Sequence, residues 1–499
     1  MGETGMRLEK PTLDKDLDKV SLAEEMTLQT MRPVAGLGAG LVFLVLSVAF
    51  AASAFTGTSG LAVILAGAAL AAYMAMNIGA NDVTNNVGAA VGAKAMTLGT
   101  ALAIAAVCEI AGALIAGGAV VERVGFEIVD AAAMPDGDAM VRVMLAALLS
   151  SAVWINIATY ANAPVSTTHS IVGGILGAGL LAGGPQAVNW LTLSGITLSW
   201  MVSPLLGGGI AALILFFVKE TIIYRDDKIA AARRWMPVLI AAMAGCFAAF
   251  LAAAGIPGLF DLSLTAGLFV GAATALVFYL GSRDHIRRQS EGFTNRNQDL
   301  RKLFRLPLIG AAGLLSFAHG ANDVSNAIGP LSAIVVTVGG NGGAGAIPAW
   351  VMLIGAFGIS VGLLLFGPRL IRIVGQEITR LNPMRAFCVA LSTAATVIVA
   401  SMLGIPISST HTAVGAVFGV GLFREWYTRN SRRRRDYIRR RTGHVHFMEA
   451  DETNTEEAQR RRLVRRSHLL TIGAAWVVTL PVAALLSALI FLALGLVLP

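Results

Sequence analysis

Two short stretches of the 499-residue sequence carry side chains that could do chemistry, and each is written twice. Gly79-Ala80-Asn81-Asp82 returns as Gly320-Ala321-Asn322-Asp323, each time followed by Val and a run of small and polar residues. Pro164-Val165-Ser166-Thr167-Thr168-His169 returns as Pro406-Ile407-Ser408-Ser409-Thr410-His411. Buried acids of this kind either hold a hard cation through oxygen, with Asn81, Asn322 and backbone carbonyls sharing the shell, or carry a proton. The hydroxyl runs suit the opening turn of a helix, where Pro is tolerated and where Ser and Thr add donors beside free N–H groups and the positive dipole end. Two such openings facing each other would cradle a tetrahedral oxyanion without Lys or Arg. A divalent oxyanion beside two carboxylates sums to about −4, untenable in a low dielectric without counter-charge. Bound cations, or protons on Asp82 and Asp323, offset it. The residue inventory therefore points to an anion and a cation held together.

The elements that must position these groups are apolar. The chain is 56% hydrophobic and 14% charged, with a mean hydropathy of +0.71, whereas soluble domains carry about 25% charged residues. This excludes an ordinary soluble domain and places the chain in the lipid bilayer. The 55 glycines suit close helix packing. The net charge of +8 is concentrated in a few loops, so it speaks for topology and not for a nucleic-acid partner. Cys108, Cys246 and Cys388 lie far apart in apolar runs and read as small core residues. Apolar runs predict spans at 34–55, 61–80, 97–121, 139–160, 191–218, 236–255, 262–281, 307–322, 347–367, 384–403 and 469–497. The Asn-Asp motifs are expected at the ends of the spans 61–80 and 307–322. With one net crossing from each hydroxyl segment, the expectation is an all-α polytopic membrane protein of about 12–13 transmembrane segments, with broken or re-entrant helices.

Loop charge sets the orientation. The basic loops 219–235, 282–306, 368–383 and 423–468 belong in the cytoplasm, and the acidic loop 122–138 outside. Counting crossings gives a cytoplasmic N-terminus, an external C-terminus and opposite polarity for the two Asn-Asp spans. The copies are offset by 241 residues for Asp82 and Asp323 and by 242 for the hydroxyl segments. The expected organisation is a cytoplasmic tail (1–33), an extra N-terminal helix (34–55), repeat 1 (56–218), linking helices with a basic cytoplasmic loop (219–306), and an inverted repeat 2 (307–499) that includes the arginine-rich loop 423–468. Inverted repeats are the architecture of alternating-access transporters, with the site at the repeat interface.

Taken in order, the four motifs resemble the inorganic phosphate transporter family, the Na⁺- or H⁺-coupled phosphate symporters, over residues 60–499. The resemblance implies a secondary transporter of the cell membrane, not an enzyme, with no cofactor beyond the coupling ion, and a homodimer. It implies phosphate held by Ser166, Thr167, Thr168, Ser408, Ser409 and Thr410 with Asn81 and Asn322. It implies Na⁺ or H⁺ at Asp82 and Asp323, again with Asn81 and Asn322. Glu109 matches an acidic position of the family, and its repeat counterpart is expected at Gly358. The sequence departs from the family at Thr84-Asn85-Asn86 and Ser325-Asn326-Ala327, where small residues are more usual, which bears on the choice of cation. His169 and His411 either orient their loops or touch substrate. Asn156 and Asn162 either line the path or glue helices. His319, with Ile78 in the corresponding place, reads as structural. Competing readings are a permease for sulfate or another oxyanion, an anion channel, and a membrane enzyme; no nucleophile–base pair or metal triad stands out for the last.

Overall fold

The computed structural model describes residues 35–55, 60–161, 165–254, 263–339, 347–377, 381–442 and 466–497. The expected tail 1–33, Asn162, Pro164 and most of the arginine-rich loop beyond Thr442 lie outside the described residues. Helices dominate: α1 (Ala35–Ala54), α2 (Leu61–Gly92), α3 (Leu98–Ala116), α4 (Gly118–Glu122), α5 (Gly137–Tyr160), α6 (Thr167–Gly183), α7 (Trp190–Val218), α8 (Lys228–Ala254), α9 (Leu264–Gln289), α10 (Asn297–Leu303), α11 (Arg305–Asp323), α12 (Ser325–Val338), α13 (Ala349–Glu377), α14 (Pro383–Met402), α15 (Ser409–Asn430), α16 (Arg432–Thr442) and α17 (Arg466–Gly495). Among the described residues no strand forms beyond a single bridge between Val129 and Val188.

Ten of these helices are long and apolar enough to cross a bilayer, and eleven if α10 to α12, bent by 43° at Phe304, count as one span. The protein is a multi-pass membrane protein. Local sequence starts its helices in the ordinary way: Asp136 accepts from Ala139 N at 2.6 Å to open α5, and Asn382 with Pro383 opens α14. Whether a helix sits inside the bundle or at its edge follows its composition. The window of α14 is 72% buried, whereas that of α9 is 11% buried and presents Leu268, Phe269, Leu276 and Val277 outward, as a lipid-facing helix must.

The centre of the bundle is built from α2 packed along α13 and α11 packed along α3. Both pairs touch backbone to backbone. A Cβ on Gly79 would lie 1.9 Å from the Ile359 carbonyl oxygen, and one on Gly320 would lie 2.2 Å from that of Glu109. Conversely, a Cβ on Gly362 would meet the Met76 oxygen at 2.0 Å, and one on Gly112 the Phe317 oxygen at 1.9 Å. The same contact thus recurs, with an offset of 241 residues from Gly79 to Gly320 and of 250 from Gly112 to Gly362. It pairs Glu109 with Ile359, one residue on from the expected Gly358.

The first Asn-Asp motif lies inside its helix, whereas the second closes α11 at Asp323 as expected, with a further helix following at once. α2 runs through the first motif to Gly92, and α12 takes over from α11 after one residue, Val324. The reason lies in the residues immediately after each motif. Val83, Val87 and Ala90, and likewise Ala327, Ile328 and Leu331, are apolar at helical spacing and fully buried. The polar residues between them find partners in the interior, so the chain stays helical past both motifs. α6 and α15 do begin at the hydroxyl motifs. α6 packs between α5 and α17, and α15 between α14 and α7.

Candidate functional site

Ser166 and Ser408 open α6 and α15 in the same way. Each hydroxyl oxygen accepts from the N–H three residues on, that of His169 or His411, at 3.2 Å. These two hydroxyls are helix caps. The next residue of each run binds its own half's acid: Thr167 donates to Asp82 Oδ2 at 3.1 Å, and Ser409 to Asp323 Oδ2 at 2.8 Å. The third residue is reached from the other motif. Asn85, after the first Asn-Asp pair, donates to Thr410 Oγ1 at 2.8 Å, and Asn326, after the second, donates to Thr168 Oγ1 at 3.2 Å. Thr410 also donates to Asp82 Oδ1 at 2.8 Å. Thr168 donates to the Ile407 carbonyl at 3.1 Å. The four motifs therefore meet in one buried cluster, and each half supplies an amide to the other's hydroxyl run.

Asn81 and Asn322 fasten the backbone ahead of the hydroxyls. Asn81 donates to the Val165 carbonyl at 3.3 Å. Asn322 donates to the Ile405 carbonyl and accepts from Ile407 N, both at 3.2 Å. The two sides differ in access. Asn81, Thr84 and Asn85 are half-buried, whereas Asn322, Asp323, Ser325 and Asn326 are buried. Asn81, Thr84 and Asn85 therefore form the more accessible edge of the cluster.

His319 departs from the structural role its lack of a counterpart suggests. Its Nε2 lies 3.0 Å from Asp323 Oδ2 and 3.8 Å from Asp82 Oδ2, and its Nδ1 lies 3.2 Å from Glu109 Oε1. All four groups are fully enclosed. The contact with Asp323 is close but not aligned as a hydrogen bond, since Nε2 has no such partner. Asn86 donates to Glu109 Oε1 at 2.7 Å, which ties Glu109 to the same cluster. Asp82, His319 and Asp323 each bring a ligand atom within 4.8 Å of the others. Two like unit charges about 5 Å apart repel by roughly 3 kcal/mol at an effective dielectric near 20, so three acids with one imidazole between them call for added positive charge. Four buried oxygens of the cluster, Asn86 Oδ1, Glu109 Oε2, Asp323 Oδ1 and Asn326 Oδ1, have no hydrogen-bond donor. Orphaned oxygen acceptors suit Na⁺ or a proton and do not suit an anion.

The other candidates sit elsewhere. His169 stacks on Trp200 with ring centres 3.7 Å apart and lies 4.6 Å from His411. Its Nδ1 faces Ser166 Oγ at 2.9 Å. Asn156 is exposed and bonds the Tyr73 hydroxyl, away from the acids.

Comparison with known proteins decides the family. The phosphate transporter family profile matches residues 78–487. The chain belongs to the phosphate transporter family. It is 42% identical over 484 residues to a Helicobacter pylori protein named "Putative phosphate permease", spanning 88% of this chain and 91% of the relative. It is 34% identical over 385 residues to "Inorganic phosphate transporter 2-1, chloroplastic" of Arabidopsis thaliana, spanning 70% of this chain and 64% of that one. A solved structure titled "The sodium-dependent phosphate transporter" superposes with a TM-score of 0.76 at 32% identity, covering 87% of this chain and all of that one.

Within this phosphate transporter, four residues of the cluster, Asn85, Asn86, Asn326 and His319, are not among the site residues expected from the sequence. Asn85 and Asn326 stand four residues after Asn81 and Asn322, one helical turn along the same face, and share their 241-residue offset. That signal was available. His319 stands four residues before Asp323, one turn back along the same face of α11, which reaches Asp323.

Proposed function

We propose that this phosphate transporter takes up inorganic phosphate together with Na⁺ or H⁺, by alternating access around a site between two inverted repeats in the cell membrane. The observation that carries the proposal is the reciprocal pairing of Asn85 with Thr410 and Asn326 with Thr168 across the halves, beside the bonds of Asp82 to Thr167 and Asp323 to Ser409 within them. Two halves that complete each other's binding groups form a site only when both are in place, which is what rocking of one half against the other can make and unmake.

In this reading phosphate occupies the cradle of Thr167, Thr168, Ser409 and Thr410, with the openings of α6 and α15 aimed at it. Asn85 and Asn326 donate to its oxygens. Ser166, Ser408, Asn81 and Asn322 hold the cradle in shape. The coupling cation sits among Asp82, Asp323 and Glu109. His319 lies where it can either share their protons or yield to Na⁺. Because the acids repel phosphate when the cation is absent, each ion makes room for the other, and coupling follows from charge alone. The solved relative is a sodium-dependent transporter by name, which favours Na⁺ as the cation. The half-buried edge at Asn81 and Asn85, set against the closed edge at Asn326, fits a state with access from one side.

The test is phosphate uptake into proteoliposomes with external Na⁺ replaced by choline, at two pH values. Uptake is expected to need a gradient of Na⁺ or, if Na⁺ is dispensable, of protons. Flux that runs equally without either gradient would make the protein a channel and end the symport reading.

A further inference from the structure

A second, separate concentration of charge lies at the other end of α7 and α15. A cavity of about 440 Å³ is lined by Lys219, Arg301, Arg385, Arg424 and Arg434, and among the described residues no Asp or Glu lines it. The five cations come from five places in the chain: the turn after α7, then α10, α14, α15 and α16. α15 begins at the hydroxyl cluster and carries Arg424 fourteen residues after Thr410, or about 20 Å along the helix. The cavity is therefore not part of the Asn-Asp site.

Three acids on the same segments, Glu220, Asp226 and Asp299, are already engaged. Glu220 accepts from the Tyr427 hydroxyl at 2.6 Å and from Arg433 at 3.0 Å. Asp226 pairs with Arg440 at 3.2 Å, and Asp299 with Lys302 at 3.0 Å. Lys219 is almost fully buried, with its ammonium 4.2 Å over the Tyr427 ring; an aromatic face holds it where an acid ordinarily would. Arg385 has a buried Nη1 with no hydrogen-bond partner. Lys219, Arg301, Arg385 and Arg434 repel each other across this space, and among the described residues no acid of the wall compensates them, which suits an anion that enters. Guanidinium groups match phosphate oxygens in bidentate geometry. The volume falls within the range of about 300–1,000 Å³ typical of organic-ligand sites, several times what a single orthophosphate fills.

We propose that this cavity is a binding site for an anion bearing several phosphate groups, distinct from the transported phosphate. The shared chemistry is a cluster of phosphates, which either a soluble phosphate chain or a phosphorylated lipid headgroup would supply.

Isothermal titration calorimetry of the full chain in neutral-lipid nanodiscs, with tripolyphosphate as the probe, tests the proposal. One saturable site is expected, weakening at least tenfold when salt rises from 50 to about 200 mM, with orthophosphate displacing tripolyphosphate from it at least tenfold more weakly than tripolyphosphate itself binds. Arg301→Gln, at an exposed position, and Arg424→Gln should each cut the affinity about tenfold while leaving the elution profile of the purified protein unchanged. Asp82→Asn, which strikes the transport site, should leave the titration as it is. That contrast separates this site from the transport reading, so either can fail alone. Repeating the titration in nanodiscs with cardiolipin distinguishes the sources: loss of tripolyphosphate binding assigns the cavity to a lipid headgroup, and retained binding assigns it to a soluble ligand. Absence of saturable binding in neutral nanodiscs, affinity unchanged in the Arg301→Gln/Arg424→Gln double variant, or equal affinity for orthophosphate would overturn the proposal.

Discussion

Asp82 and Asp323 are enclosed carboxylates that share His319 between them and hydrogen-bond to the hydroxyls of the two helix openings. Replacing either with Asn keeps the shape, turns one accepting oxygen into an NH2 donor and removes one of the charges that draws in the cation. Asp82→Asn and Asp323→Asn should each lower coupled phosphate uptake in proteoliposomes by about 100-fold, roughly 3 kcal/mol, with normal insertion and elution. Cation dependence like that of the wild type in either variant would remove the acids from the coupling site. Asn85 and Asn326 offer a sharper check, because they hold the same post in opposite halves. Asn85→Ala and Asn326→Ala should each weaken the apparent phosphate affinity in an uptake titration by about tenfold, the worth of one lost hydrogen bond to a charged group. A silent Asn326→Ala beside a crippled Asn85→Ala would mean that the cradle is one-sided. The acids and the hydroxyl runs were legible in the sequence because repetition singles them out. His319 and Glu109 were harder to place: neither repeats, Ile78 and Ile359 standing opposite them, so nothing in the pattern says that they share one side of the cluster.

At the scale of elements, the site depends on two helix pairs brought to backbone contact. Gly79 on α2 and Gly362 on α13 each face a carbonyl of the other helix that a methyl group would strike. Gly79→Ala and Gly362→Ala must push α2 and α13 apart, which costs about 1–3 kcal/mol by overpacking and shifts the acid on α2 relative to its hydroxyls. Both should lower the thermal unfolding midpoint in detergent by several degrees. Gly88→Ala is the control on the same helix, since its nearest neighbour, the Thr84 Cβ, is 3.8 Å away; it should leave the midpoint unmoved. The helix openings at Ser166 and Ser408 could be read from Pro and hydroxyl spacing. The continuation of α2 to Gly92 could not, because Thr84-Asn85-Asn86 looks like the polar end of a span until the buried partners of those side chains are known. Polar residues end a transmembrane helix when they face lipid or water; here they face one another.

At the scale of the molecule, orientation follows from which loops share a side. Residues from the basic segments 219–235, 282–306, 368–383 and 423–468 line a single cavity through Tyr224, Arg301, Asn382 and Arg424. Segments so far apart in sequence can meet there only if they leave the bundle at the same face, and the orientation proposed from their common positive charge puts that face in the cytoplasm. The turn before α5 lies at the opposite charge extreme, with Glu122, Glu127, Asp130, Asp136 and Asp138, and Val129 there bridges to Val188, between α6 and α7. A variant with Cys108, Cys246 and Cys388 replaced by Ala would let single cysteines report the topology. Asp130→Cys, at an exposed position, should react with a membrane-impermeant maleimide in intact cells. Arg296→Cys, equally exposed, should react only after permeabilisation. Reversed labelling would place the basic face outside and reverse the direction assigned to uptake. Labelling of both positions from one side would leave an odd number of the intervening segments failing to cross, and the opposite polarity of the two Asn-Asp helices, on which an inverted repeat depends, would have to be given up.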